Sequence, residues 1–160
     1  MKIWISTVGW SKFAVINPLW AACFKNEFVP EKVFLLNNGY KDPSTKENFE
    51  IVKGWIERIL KEYSIENPII ESIDADEEDI TKFAETIIDL VKKLEGNEVA
   101  IDMTPGRKYM SSFAMQCAIK FNSFVKKLFY LHLKYKKYQD TPFILIPLKY
   151  QKLINLLELI

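Results

Sequence analysis

Residues 98–121 read EVAIDMTPGRKYMSSFAMQCAIKF. A β-rich run, Glu98–Met103, ends in an Asp-x-Thr-Pro-Gly turn. It passes at once into a helical apolar period over Pro105–Phe121, carried by Met110, Phe113, Ala114, Cys117 and Phe121. A strand delivered straight into a helix is half of a β-α-β unit, and the rest of the chain repeats the alternation. Lys2–Thr7 (KIWIST), Lys32–Asn37 (KVFLLN), Pro68–Ile73 (PIIESI), Lys127–Leu133 (KLFYLHL) and Phe143–Pro147 (FILIP) are the other strand candidates. Their near-continuous apolar character suits strands buried on both faces. Between them, Ser44–Tyr63 sets Phe49, Val52, Trp55, Ile56, Ile59, Leu60 and Tyr63 on one stripe, with Ser44 and Glu47 spaced as a capping box. Asp76–Glu95 repeats the pattern at Ile80, Phe83, Ala84, Ile87, Val91 and Leu94, then stops at Gly96. The pattern predicts an α/β fold, a Rossmann-like doubly wound and mainly parallel sheet of about six strands with helices on both faces. The last strand and the tail, 149–160, are expected to add a hairpin-like edge and a closing helix.

Composition bounds the function. The chain has 160 residues, one domain's worth, and 49% of them are hydrophobic, which excludes a disordered or fibrous protein. Cys23 and Cys117 lie far apart and there is one His, so no zinc site or disulfide framework is expected, and no metal or cofactor. The start, Met-Lys-Ile, lacks a charged-then-apolar leader, which predicts a cytoplasmic protein. The longest apolar stretch, Phe13–Phe24, is broken by Asn17-Pro18 and too short to span a bilayer, so no membrane partner is expected. Net charge is +1, yet residues 1–100 carry 12 Lys+Arg against 18 Asp+Glu, and residues 101–160 carry 10 against 3. A basic last third points to a face that meets an anion, unless the lysines simply solvate a helix and an exposed strand.

Two turns stand out. With strand order 3-2-1-4-5, strands one and four are neighbours, and a ligand is expected at the crevice beyond their carboxyl ends. The first turn, Ser6-Thr7-Val8-Gly9-Trp10-Ser11-Lys12, is neither a dinucleotide fingerprint nor a P-loop. Asn17-Pro18 is spaced to cap the helix after it. In the fourth turn, Asp102-Met103-Thr104-Pro105-Gly106-Arg107-Lys108, Thr104 is placed to cap a helix that Pro105 begins. Gly106 opens the backbone to a ligand, and the helix N-terminus offers amides to an anion. Arg107 and Lys108 at that end oppose the helix dipole, which a purely structural role explains poorly.

An N-terminal strand leading to a Ser/Thr-Gly-Ser turn, and a later strand ending in Asp-x-Thr-x-Gly-x-Lys, resemble the CRISPR-associated Rossmann-fold (CARF) domain family. Here they are Ser6-Thr7-Val8-Gly9-Trp10-Ser11 and Asp102-Met103-Thr104-Pro105-Gly106-Arg107-Lys108. The resemblance covers about residues 1–150 in strand–helix order. It implies a single domain, 1–160, that binds a cyclic oligoadenylate across a homodimer cleft, with no effector domain. Stand-alone members of the family are ring nucleases, so the implied activity is ring opening that switches off type III CRISPR signalling, with no stable nucleic-acid partner.

The chemistry requires little of the protein. In-line attack by an adenylate 2′-OH on its own phosphodiester gives a 2′,3′-cyclic phosphate and needs geometry and charge stabilisation, not a metal. Lys108 is the candidate stabiliser and Ser11 the candidate orienting hydroxyl, with Arg107 on a neighbouring phosphate. Thr7, Val8, Gly9, Trp10, Asn37, Thr104, Pro105 and Gly106 complete the expected ligand site. Each has a plainer reading. Lys108 and Arg107 serve equally as solvated cations, and Ser6 and Ser11 as turn-formers. Asp102 holds a metal or turn amides, Trp10 stacks on adenine or packs, and Asn37-Asn38 touch a base edge or make a turn. His132 reads as a satisfied structural histidine, and the aromatics of 121–138 as core and dimer surface rather than an RNA platform. The competing functions are a sensor that binds the ring without cleaving it, and an α/β domain for another nucleotide or a single-stranded nucleic acid.

Overall fold

Trp4 has no exposed surface. It sits in β1 (Lys2–Thr7), the central strand of a six-stranded sheet in a computed structural model that describes residues 1–37 and 43–160. The other strands are β2 (Lys32–Asn37), β3 (Ile69–Asp74), β4 (Glu98–Asp102), β5 (Val125–Leu133) and β6 (Gln151–Asn155), in the spatial order β3-β2-β1-β4-β5-β6. The first five are parallel and β6 runs antiparallel to β5. Four helices connect the parallel strands: α1 (Lys12–Phe24), α2 (Pro43–Glu62), α3 (Ile80–Lys92) and α4 (Lys108–Lys120). This is the expected α/β architecture.

Strand periodicity sorts the core into two layers. Trp4, Val33, Leu35 and Ala100 face α1 and α2, and Trp4 stacks on Phe129 with centroids 5.5 Å apart. Ile3, Ile5, Phe34, Leu36, Val99 and Ile101 face α3 and α4. Cys23 and Cys117 are free thiols in opposite layers, and burial pushes them up to about 12 and about 11. From β1 the chain winds outward through β2 and β3, then returns to β4 on the other flank. The loops leaving β1 and β4 therefore diverge at the switch point of the sheet.

Several boundaries differ from the sequence reading. FILIP is not a strand: Phe143–Leu145 is a 3-10 turn between Pro142 and Pro147, and the sixth strand is Gln151–Asn155. Flanking prolines remove the amides a ladder needs, and Asn17 fixes the segment, its Nδ2 donating to Thr141 O at 2.9 Å and its Oδ1 accepting from Phe143 N at 2.8 Å. Asn17 and Pro18 thus lie inside α1, and Ser11 occupies its N-cap. A short 3-10 turn, Leu156–Leu159, closes the chain. β3 is largely exposed, because it is a sheet edge. Ser44 lies within the first turn of α2 rather than ahead of it. α3 starts at Ile80, after Asp79 Oδ1 accepts from Lys82 N at 2.9 Å, and Asp76 takes the Glu78 amide in the loop before it. α4 starts at Lys108, because Gly106 at φ +93° and extended Arg107 hold the preceding residues out of the helix. No helix among the described residues is long and apolar enough to cross a membrane.

Candidate functional site

The β1 and β4 turns, 98 residues apart at Thr7 and Pro105, are packed against each other. Thr7 Oγ1 donates to Pro105 O at 3.1 Å, and a Cβ on Gly9 would stand 3.6 Å from the Gly106 nitrogen. Beneath them, Ser6 Oγ donates to Asp102 Oδ2 and the Thr104 amide to Asp102 Oδ1, both at 2.9 Å. Asp102 is buried, and loss of water pushes its carboxyl up to about 7, although these hydrogen bonds favour the charged form. Asp102 is thus a tie between strand end and turn. Among the described residues no cluster of three or more His, Cys, Asp or Glu is placed to hold a metal.

Above this tie lies an open cleft of about 460 Å³. One wall is Val8, Gly9, Trp10 and Ser11; the other is Thr104, Pro105, Gly106 and Arg107. The N-termini of α1 and α4 both reach it, through Ser11 and Arg107. Unpaired amides at such ends favour an anion. Trp10 is 82% exposed, so packing does not account for it. Ser11 Oγ is screened from solvent without a hydrogen-bond partner. A smaller hollow of about 250 Å³ adjoins the cleft through Ala14, Thr104 and Gln139, reaching Tyr130 and Lys136.

Other expected site residues stand elsewhere or do other work. Lys108 is exposed at the first position of α4 and lies outside the cleft lining. Thr7 is buried below the cleft. Asn37 is buried at the end of β2, its Nδ2 donating to Ser72 Oγ on β3, and it does not line the cleft; Asn38 and Gly39 lie outside the described residues. Thr104 caps no helix: its hydroxyl accepts from Leu131 N at 2.9 Å and joins the turn to β5. Gly106 is required by its own turn, since a Cβ would meet Thr7 Oγ1 at 2.7 Å and Met110 Sδ at 2.9 Å. His132 is exposed on β5, its ring 6.3 Å from that of Tyr130, and is not a core histidine.

Arg107 has a structural partner after all. Its guanidinium reaches Glu77 at 3.3 Å and Glu78 at 3.2 Å, which relieves the conflict with the α4 dipole. Tyr109 Oη donates to Glu77 O at 2.6 Å and fixes the acidic loop beside the cleft. Glu77 and Gln139 are cleft residues that sequence reasoning missed. The acidic run 76–79 was the only signal for Glu77, and Gln139 had none.

No family model matches the chain, and no curated protein matches it. Among solved structures it is similar to the crystal structure of protein VC1899 from Vibrio cholerae, with a TM-score of 0.53 and 14% identity. The match covers 81% of this chain and 30% of that one, so this chain corresponds to under a third of that protein's length. The fold is Rossmann-like. At that identity the likeness concerns the fold alone.

Proposed function

We propose that this chain binds a cyclic oligoadenylate, with cyclic tetra-adenylate as the reference ligand, in the cleft between the β1 and β4 turns of a homodimer. The observation that carries the reading is the convergence of the α1 and α4 N-termini on one cleft, beside a tryptophan that is 82% exposed. Amide-rich helix ends suit phosphates, and an exposed indole suits an adenine face. A two-fold pair of clefts matches the symmetry of the ring. Ring opening follows from the ligand's own 2′-OH. Its oxygen bonds to the adjacent phosphorus, the bond from phosphorus to O5′ breaks, the 2′ proton leaves to water, and O5′ takes a proton from water. Lys108 is assigned to the charge that builds on the phosphoryl oxygens, and Ser11, with its unpartnered hydroxyl, to orienting the ligand.

Two observations favour a second reading, in which the cleft binds the ring and reports it without cleavage. Lys108 lies outside the cleft lining, and Arg107 is engaged by Glu77 and Glu78. Incubation with cyclic tetra-adenylate in EDTA, with product analysis and a parallel binding titration, separates the two. Linear products ending in 2′,3′-cyclic phosphate support cleavage. Saturable binding without products leaves the sensor. Absence of binding overturns both.

A further inference from the structure

Between β5 and β6 one connecting segment brings three tyrosines together. Tyr135 meets Tyr150 edge-on with centroids 5.0 Å apart, and Tyr138 stacks on Tyr150 at 5.8 Å. Lysines ring the cluster: Lys134 lies 5.4 Å from the Tyr135 centroid, Lys137 lies 5.0 Å from that of Tyr138, and Lys149 lies 5.0 Å from that of Tyr150. Residues 131–157 hold Lys134, Lys136, Lys137, Lys149 and Lys152 against one acid, Asp140. Among the described residues none of these five lysines is in an ion pair, although lysines elsewhere on the surface are matched by acids. Tyr135 is 42% exposed.

Against the sequence reading of the 121–138 aromatics as core and dimer surface and of no stable nucleic-acid partner, we infer that this Tyr135–Tyr138–Tyr150 cluster and its lysines form a docking surface for single-stranded nucleic acid. The charge is unmatched and calls for a polyanion. The rings select among polyanions, because unpaired bases stack on aromatic faces, whereas an acidic peptide offers charge alone and a duplex keeps its bases stacked inside. The lysines exchange a ring face for a phosphate, so charge and stacking sites already alternate along the surface. The backbone beneath is fixed before any ligand arrives. Lys134 N donates to Tyr150 O at 2.8 Å, and Gln151 Nε2 donates to the carbonyls of Phe143 and Ile146. Such preorganisation lowers the entropy lost on binding. None of the three tyrosines lines the cleft, so the inference stands independently of the cyclic ligand.

The test is fluorescence anisotropy with labelled oligouridylate of about ten nucleotides, over a salt series. Lys134→Ala with Lys137→Ala and Lys149→Ala is expected to flatten the slope of log affinity against log salt by about 2, near 0.7 for each phosphate left without its lysine. At about 0.1 M salt that amounts to a loss of about 100-fold. Tyr135→Leu with Tyr150→Leu is expected to weaken binding about tenfold at an unchanged slope, and the double Phe variant to restore it. Thermal melting of every variant reports folding, and the lysine set, being exposed, carries the test if the leucine variant melts early. Trp10→Ala is expected to leave oligonucleotide affinity unchanged. An unaltered salt slope in the lysine variant, equal affinity for duplex, or loss of binding with Trp10→Ala overturns the inference.

Discussion

Asp102→Asn isolates the electrostatic cost of the tie beneath the cleft. In the parent, burial raises the carboxyl from 3.8 to about 7. Below pH 3.8 folded and unfolded chains are both protonated at this residue. Between 3.8 and 7 the unfolded chain has lost the proton and the native chain keeps it, so stability falls as pH rises; above 7 both are ionised and the loss is complete. A displacement of about three pH units, at about 1.4 kcal/mol each, amounts to about 4 kcal/mol. Asparagine stays neutral throughout. Its Oδ1 accepts the Thr104 amide as Asp102 Oδ1 does, and its Nδ2 faces Ser6 Oγ, whose proton has the Thr7 carbonyl, 3.5 Å away, as an alternative acceptor. Urea unfolding of both proteins at steps from about pH 4 to about pH 8 cancels every other titrating group in the difference. The variant is expected to gain on the parent steadily through that window and to hold a constant lead above it. A difference independent of pH would refute the reasoning, since it would mean that Asp102 ionises in the native state as it does in the unfolded chain.

Gly106→Ala combines a left-handed backbone at φ +93° with a Cβ 2.7 Å from Thr7 Oγ1, and is expected to cost about 3 kcal/mol in urea unfolding. Gly9→Ala, whose Cβ would come no closer than 3.6 Å to another atom, is expected to stay near neutral in the same assay. Asn17→Ala removes both bonds to the 141–143 segment and is expected to cost about 1–3 kcal/mol, with faster hydrogen exchange at the Phe143 amide. If the ring is cleaved, Lys108→Ala is expected to slow single-turnover cleavage about 100- to 1000-fold with melting unchanged, and Ser11→Ala to slow it less. Trp10→Ala is expected to leave melting unchanged, because the ring is exposed, and to weaken cyclic tetra-adenylate binding by about 1–3 kcal/mol in a titration.

Local periodicity determined most of the fold. KIWIST, KVFLLN and EVAID alternate their side chains between two covered faces, and the stripes of α2 and α3 carry their burial on their surface, so strands, helices and their order were legible without partners. FILIP misled because an apolar run between prolines has strand composition but lacks the amides for a ladder. In the site, the sequence singled out the two turns that meet, whereas the exposure of Trp10, which the sequence left open between stacking and packing, came from the structure. Only the tertiary structure decided which polar groups pair across the sheet. Ser6 reaches Asp102 and Asn17 reaches Thr141 because β4 lies beside β1 and the segment after β5 folds over α1. Glu77 and Glu78 take Arg107 because α3 and α4 share one face of the sheet, bringing the loops before them together. Periodicity is set by neighbours three or four residues away, whereas a charge is matched by whatever the topology carries to it, and that pairing has no local signature in the chain.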